Sequence, residues 1–341
     1  MSPLAYDAVL LLGFGGPAGP DDVMPFLERV TAGRRVPRAR LEEVAEHYYA
    51  VGGVSPITAQ SAGLLESVRT RLVALGLDVP CRLAHRNSAP YADEVLAELA
   101  GLGARRVLGF AASAFPSYSG CRQYREDLAL GAAGCGAGVE VVKVAPFVDL
   151  PGLAEAQTDL LTSALRTAGP DAVVLFSTHS LPVGAAASSG PSGDGYVTAH
   201  LALAASVVTA AAARLGRPEP RWQLVYQSRS GPPQVPWLEP DVNDAIRAVA
   251  AAGDHHVVLV PLGFLTDHME VVWDLDHEAA ATAAEVRVEL TRVATVGDHP
   301  AFLDGLAARL AAHLRGTAET TTFCGAGCCR TDDPRPTVEG V

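Results

Sequence analysis

At 341 residues, 49% of them apolar and only 19% charged, the chain can bury one large domain or two ordinary ones, which excludes a disordered polymer. Its formal net charge of −12, with Lys and Arg scattered, excludes a general affinity for nucleic acid, because phosphate neutralisation needs clustered cations. The first residues, MSPLAYDAVLLLGFGGP, lack the basic segment and cleavage pattern of a secretory signal, and Leu201–Ala213 is too short and alanine-rich for a transmembrane segment. The expected location is cytoplasmic, where clustered cysteines point to metal before disulfides, and three of the six, Cys324, Cys328 and Cys329, fall together near the end.

In chain order, Ala8–Leu12 reads as a buried strand. The turn Gly13-Phe14-Gly15-Gly16-Pro17 lacks a third glycine and a P-loop lysine, so it is a weak nucleotide cradle and better suited to close approach of a flat ligand. Asp21 or Asp22 opens a helix to Val30, a second helix ends near Tyr49, and the turn Gly52–Ile57 feeds a third, with Ser55 placed to cap it or to bind an anion. Cys81–Ala84 is a poor strand and Val95–Leu99 is helical; Val107–Ala112 and Val139–Val144 are strands. The turn Ser113–Cys121 carries serines and Tyr118 that suit carboxylate or phosphate binding, or simple helix capping.

The pattern then restarts. Leu153–Leu165 is helical, Ala172–Ser177 is a strand, and Thr178-His179-Ser180-Leu181-Pro182 is its exit loop. Gly184–Gly195 is expected to be a mobile surface loop, followed by a helix Tyr196–Leu215, a strand Trp222–Tyr226 and a helix Asn243–Ala251. Val257–Val260 and Val286–Arg292 are strands, His299–Leu314 is a last helix, and the tail is expected to be irregular. This alternation predicts an α/β protein of two similar Rossmann-like, doubly wound halves with parallel sheets, residues 1–150 and 151–315, with a cleft between them and a cysteine-bearing tail, 316–341.

The chemistry concentrates in Pro261–Glu278, PLGFLTDHMEVVWDLDHE, which leaves a strand, breaks at Pro261 and Gly263, and enters a helix capped by Thr266 or Asp267. Glu270, Asp274 and Glu278 recur every fourth residue and share one helix face, although like charges so spaced repel by roughly a few tenths of a kcal/mol per pair. The row is either a solvated acidic face or, with His268 and His277, a ladder for a divalent cation or protons. His179, at another strand exit of the same half, is either a satisfied core histidine or the acceptor of protons, or the ligand of a metal, that such a ladder would serve. Ser180 lacks the GxSxG elbow of a hydrolase nucleophile.

FSTHSLP (Phe176–Pro182), VYQSRSGPPQVPWLEP (Val225–Pro240) and PLGFLTDHMEVVWDLD (Pro261–Asp276) resemble the signature segments of ferrochelatases, and LLGFGGP and GGVSPI stand in the same order before them. The likeness runs from about residue 8 to 315. It implies two halves clasping a porphyrin and insertion of Fe²⁺ into its ring. His179 matches the proton acceptor or metal-handling residue, Glu270 the catalytic carboxylate, and Asp274 and Glu278 the acidic line that carries metal or protons. The resemblance places Phe14, Ser55, Tyr118, Ser119, Trp237, Phe264, Asp267 and His268 at the macrocycle or its propionates. Some bacterial relatives carry tyrosine at the position of Phe14, whose ring has no atom to ligate iron.

SYSGC (Ser117–Cys121) together with the CxxxCC tail is similar to the actinobacterial branch, which implies coproporphyrin III as substrate and coproheme, on the route to heme b, as product. The alternatives are a protoporphyrin IX ferrochelatase, a cobalt or nickel tetrapyrrole chelatase, and a non-catalytic tetrapyrrole or iron–sulfur carrier. The tail also implies a [2Fe–2S] cluster on Cys121, Cys324, Cys328 and Cys329, with Cys135 as the other candidate for the internal ligand and zinc as the rival metal. Upstream and downstream enzymes of the heme pathway are the implied partners.

Overall fold

The computed structural model describes residues 4–33, 36–231, 234–318, 325, 327–329 and 335–341. Among them, β1 (Ala8–Gly13), β2 (Cys81–His85), β3 (Arg106–Ala111), β4 (Glu140–Lys143) and β9 (Glu339–Gly340) form one sheet in the order β2-β1-β3-β4-β9. A second sheet, in the order β6-β5-β7-β8, comprises β5 (Val173–His179), β6 (Trp222–Gln227), β7 (His256–Val260) and β8 (Glu289–Arg292). Every pairing is parallel. β1 is buried along its whole length, and its sequence AVLLLG is the unbroken apolar run expected of a parallel strand covered on both faces.

The helices Ile57–Ala74, Pro151–Ala168, Gly195–Leu215 and Pro300–Leu314 pack between the sheets in one continuous core, which includes Leu11 and Phe110 of the first sheet and Phe176 and Val260 of the second. Phe110, Phe147, Phe176 and Phe302 are fully enclosed, and each contributes about 1.5–3 kcal/mol through burial. The helix Gly195–Leu215 matches the expected Tyr196–Leu215 to within one residue, and by length and composition alone the whole of it, unlike Leu201–Ala213, is long and apolar enough to cross a membrane. Its packing against Pro151–Ala168, with Leu203, Val207 and Val208 enclosed, makes it a core helix.

Several elements depart from the sequence reading. β8 starts at Glu289 rather than Val286, because Arg287 takes a left-handed conformation (φ 60°) that no strand accommodates. The tail is not wholly irregular, since β9 pairs with Val142 and Lys143 of β4 and returns the chain end to the first sheet. Gly184–Gly195 is not a loose loop. It contains a short helix, Val183–Ala187, and its Ser189 and Gly190 are buried, with Ser189 Oγ donating to Ala186 O and accepting from the Tyr196 amide.

The helices Pro151–Ala168 and Pro300–Leu314 meet at two glycines. A Cβ on Gly152 would overlap the carbonyl oxygen of Ala301 and reach 3.5 Å from Gly305 Cα. Gly152→Ala should therefore cost about 1–3 kcal/mol of stability, read as a lower denaturation midpoint at unchanged slope, whereas an unchanged midpoint would show that this crossing is not tight.

Candidate active site

The loops leaving β5 and β7 lie against each other. The Gly263 amide donates to Ser177 O at 3.1 Å, and a Cβ at Gly263 would overlap the Thr178 hydroxyl. This approach brings His179, the last residue of β5, to Glu270, beyond β7, with Nε2 to Oε2 at 3.7 Å. β5 thus runs two residues beyond the expected Ser177, because Thr178 and His179 still pair with β6. His179 Nδ1 lies 2.5 Å from its neighbour's carbonyl, Ser180 O. A carbonyl only accepts, so Nδ1 carries a proton and Nε2 is the ring nitrogen turned toward Glu270. Both side chains reach solvent, at 32% and 49% exposure, so the pair is open to an incoming ligand.

His268 Nδ1 stands 3.8 Å from the same Glu270 oxygen, and burial lowers its pKa, against the smaller opposing effect of Glu270. Phe264 closes over it edge-on at 5.1 Å. Asp274 is more enclosed. Burial pushes its carboxyl up to about 7, the charges of Glu270 and Glu278 add to the rise, and hydrogen bonds from Ser228 Oγ and from Gln227 Nε2 (3.2 Å) partly oppose it. Glu278 accepts from Trp273 Nε1 at 2.9 Å, and Trp273 stacks between His47 (4.2 Å) and His277 (5.1 Å).

The row is not carried on a plain α-helix. Val272–Ala279 is π-helical, with the wider i→i+5 coil that concentrates at functional sites. Neither predicted cap is used. His268 is the N-cap residue, while Asp267 pairs with Arg292, and its amide donates to Gln60 Oε1 at 2.7 Å. Arg292 also reaches Asp276 at 3.3 Å, so the Asp267 carboxylate belongs to an ion-pair network beside the helix.

Phe264 and His268 lie at this centre, and the other predicted porphyrin residues are placed by contacts of their own. Phe14 packs edge-on to Phe26 and shares an apolar cluster with Met269, Val272 and Trp273, which places the first glycine turn opposite the acidic helix. Ser55 is buried against Gly16, where a Cβ would come within 2.6 Å of Ser55 Cβ. Trp237 lies against Gly231 and bridges to Pro182, on the His179 exit loop. Tyr118 donates to Glu126 at 3.1 Å, and Ser119 is exposed. Sequence reasoning missed Gln227 and Ser228, which hold Asp274, and Tyr48, whose hydroxyl is pushed above its usual range by burial and, less, by Glu270. The signal for the first two was the segment VYQSRSG, in which Ser228 takes a left-handed φ of 59° rare for a non-glycine.

The cysteines divide in two groups. Burial pushes the Cys81 thiol up to about 11, and Cys135 Sγ donates to Ala132 O at 3.2 Å beside a separate apolar cluster. Cys121, Cys328 and Cys329 are all buried, with the sulfurs of the last two 3.7 Å apart. Arg122 donates to Cys328 O at 3.1 Å, Lys143 Nζ lies 3.8 Å from Cys121 Sγ, and the Gly190 amide donates to Cys329 Sγ at 3.2 Å. Cys324 lies outside the described residues, among which no three His, Cys, Asp or Glu side chains form a ready metal cage. The donor set nonetheless fits a thiolate-bound centre, because the Lys143 ammonium faces the Cys121 sulfur and the Gly190 amide faces that of Cys329.

A family model described as ferrochelatase matches residues 6–314. The chain belongs to the ferrochelatase family. It is 48% identical over 348 residues to a coproporphyrin III ferrochelatase of Propionibacterium freudenreichii subsp. freudenreichii, covering 98% of each chain. A coproporphyrin III ferrochelatase of Streptomyces coelicolor is 45% identical over 362 residues, with 98% of this chain and 96% of the relative covered. Among solved structures, SirB from Bacillus subtilis with Fe³⁺ aligns with a TM-score of 0.54 at 12% identity, over 91% of this chain and 96% of SirB. CbiX, described as the terminal enzyme of siroheme biosynthesis in denitrifying bacteria, aligns at 0.51 and 16%, over 90% and 99%. These two likenesses show a fold shared with chelatases.

In this ferrochelatase-family site Asp274 titrates near neutrality, which links it to stability. Its folded pKa is about 7 against 3.8 for the free side chain, so the folded state retains the proton that the unfolded state loses, and stability falls as pH rises from about 4 to about 7. Asp274→Asn should flatten that dependence and leave the variant more stable than the parent above about pH 7, in denaturant melts across a pH series. A variant less stable than the parent at high pH would contradict the protonated assignment.

Proposed function

We propose that this chain inserts Fe²⁺ into coproporphyrin III and releases two pyrrole protons, giving coproheme. The observation that carries the reaction is the Nε2 of His179 facing Glu270 across 3.7 Å. That gap is too long for a direct hydrogen bond, and it matches two ligands each about 2.1 Å from a shared metal. A pyrrole N–H at this point donates its proton to Nε2 or to the carboxylate as the metal displaces it. Asp274, with a pKa of about 7, both accepts and releases protons at working pH, which suits the next station of a relay toward Glu278 at the exposed end. Oxygen and imidazole donors hold Fe²⁺ loosely enough to hand it on, as a full set of thiolates would not.

The substrate assignment is supported by the relatives named above, which act on coproporphyrin III according to their names. Ser119 and Ser55 supply hydroxyls for its carboxylates, Tyr118 does so once its proton turns from Glu126, and Phe14, Trp237 and Phe264 supply apolar walls. The reading places the protein between an enzyme that supplies the porphyrin and one that takes up the ferrous product, in the cytoplasm.

We further propose that Cys121, Cys324, Cys328 and Cys329 hold a [2Fe–2S] cluster. Cys121 is preferred to Cys135 because its neighbour Arg122 binds the Cys328 carbonyl and Lys143 stands at its sulfur, where positive charge offsets that of thiolates. Such a cluster supplies one-electron capacity and ties the tail to the first sheet.

Anaerobic assays with Fe²⁺ and equal concentrations of coproporphyrin III and protoporphyrin IX should show strong preference for the former. Preference for protoporphyrin overturns the substrate, faster insertion of Co²⁺ or Ni²⁺ overturns the metal, and stoichiometric binding without turnover identifies a carrier. Protein purified anaerobically should contain iron and show the visible bands of a cluster, both lost in Cys328→Ser; zinc in place of iron, or no metal, would contradict it.

A further inference from the structure

Behind His179 lies a group of polar side chains that the reaction does not touch. His200 is fully buried and lies flat on Phe115, ring centroids 3.5 Å apart. Its Nδ1 is 2.7 Å from Tyr196 O, and its Nε2 is 2.9 Å from Thr178 Oγ1. Tyr196 Oη is 2.6 Å from Thr178 Oγ1 and 2.9 Å from His179 O.

The protons of this group are fixed by elimination. Tyr196 O only accepts, so His200 Nδ1 carries hydrogen. Burial lowers the His200 pKa to about 3, which keeps the ring neutral and leaves Nε2 as a lone pair. The Thr178 hydroxyl therefore donates to His200 Nε2, and its oxygen is free to accept. The Tyr196 proton then has only acceptors before it, Thr178 Oγ1 and the His179 carbonyl. That single proton is shared between the two oxygens, 2.6 and 2.9 Å away, so the phenol ties Thr178 to the His179 carbonyl.

From this we infer that Thr178, Tyr196 and His200 are positioning residues that clamp the backbone of His179 and so aim its Nε2 at Glu270. The inference rests on the reading of His179 as the base. The last rung of β5 pairs His179 with Gln227, and the Ser180 amide donates to Gln227 O at 2.8 Å, which holds the 179–180 peptide from the β6 side. Tyr196 is what holds the carbonyl on the other side, and Tyr196 is itself fixed by the bond from its amide to Ser189 Oγ at 2.7 Å. Without the phenol, the peptide keeps its amide bond to Gln227 O but loses the bond at its carbonyl, and it can tilt about the remaining bond and carry the ring with it.

The test compares Tyr196→Phe, Thr178→Val, Thr178→Ser and His179→Ala in anaerobic Fe²⁺ insertion, with porphyrin binding followed by fluorescence. Tyr196→Phe and Thr178→Val should each lower kcat by about tenfold or more with KM for porphyrin unchanged, in the range of lost supporting hydrogen bonds. Thr178→Ser, which keeps the hydroxyl, should recover most of the rate, and this recovery does not depend on Tyr196→Phe folding. Parent-like kcat in Thr178→Val, or equal losses in Thr178→Val and Thr178→Ser, would overturn the inference, as would a raised KM at unchanged kcat. Near-normal turnover by His179→Ala would instead remove the base on which it rests.

Discussion

The site depends on how closely two strand exits approach. Gly263 has no Cβ where the Thr178 hydroxyl must lie, and its amide donates to Ser177 O, so the loops after β5 and β7 are stitched together at their start. Parallel neighbouring strands deliver both loops to the same sheet edge, where doubly wound folds collect their ligands. From that junction His179 faces the acidic helix, and His268 and Phe264 fill the space beside it. A side chain at position 263 would force β5 and the turn after β7 apart and separate His179 from Glu270.

The like charges of the acidic row are accommodated in three ways. Asp274 is buried enough to hold a proton near neutrality, which removes one negative charge from the middle of the row. Glu278 accepts from the Trp273 indole at the outer end, and Glu270 stays half-exposed beside two imidazoles. Repulsion and burial thus grade the three carboxyls from an open one at His179, through a proton-retaining one, to a solvated one. That gradation is what a route for protons or metal requires, and a purely solvated face would not produce it.

Much of this was legible in the sequence, for physical reasons that vary by element. β1, β3, β5 and β7 announce themselves because buried parallel strands are continuous apolar runs. β2, CRLAH, reads poorly because it lies at a sheet edge with Arg82 half-buried, and two-residue β9 carries no pattern at all. His179 and Glu270 were found through their position after strands of one half. The π-helical coil was invisible, since shifting hydrogen bonds from i+4 to i+5 leaves the same residues in the same order. The ties of Asp274 to Gln227 and Ser228 span 47 and 46 residues, and those of Thr178 to Tyr196 and His200 span 18 and 22, distances that spacing rules do not reach.

The cysteine-bearing tail touches both halves, through the bond of Arg122 to Cys328 O on the first and of the Gly190 amide to Cys329 Sγ on the second. Its chemistry is separable from the central claim, which concerns the face shared by His179 and Glu270. The most direct test of that claim is the rate of anaerobic Fe²⁺ insertion by Glu270→Gln, which keeps size and hydrogen bonding but removes the charge. A fall of about 100-fold or more with porphyrin affinity intact is the predicted result, and a rate near that of the parent would mean that the reaction occurs without this carboxylate.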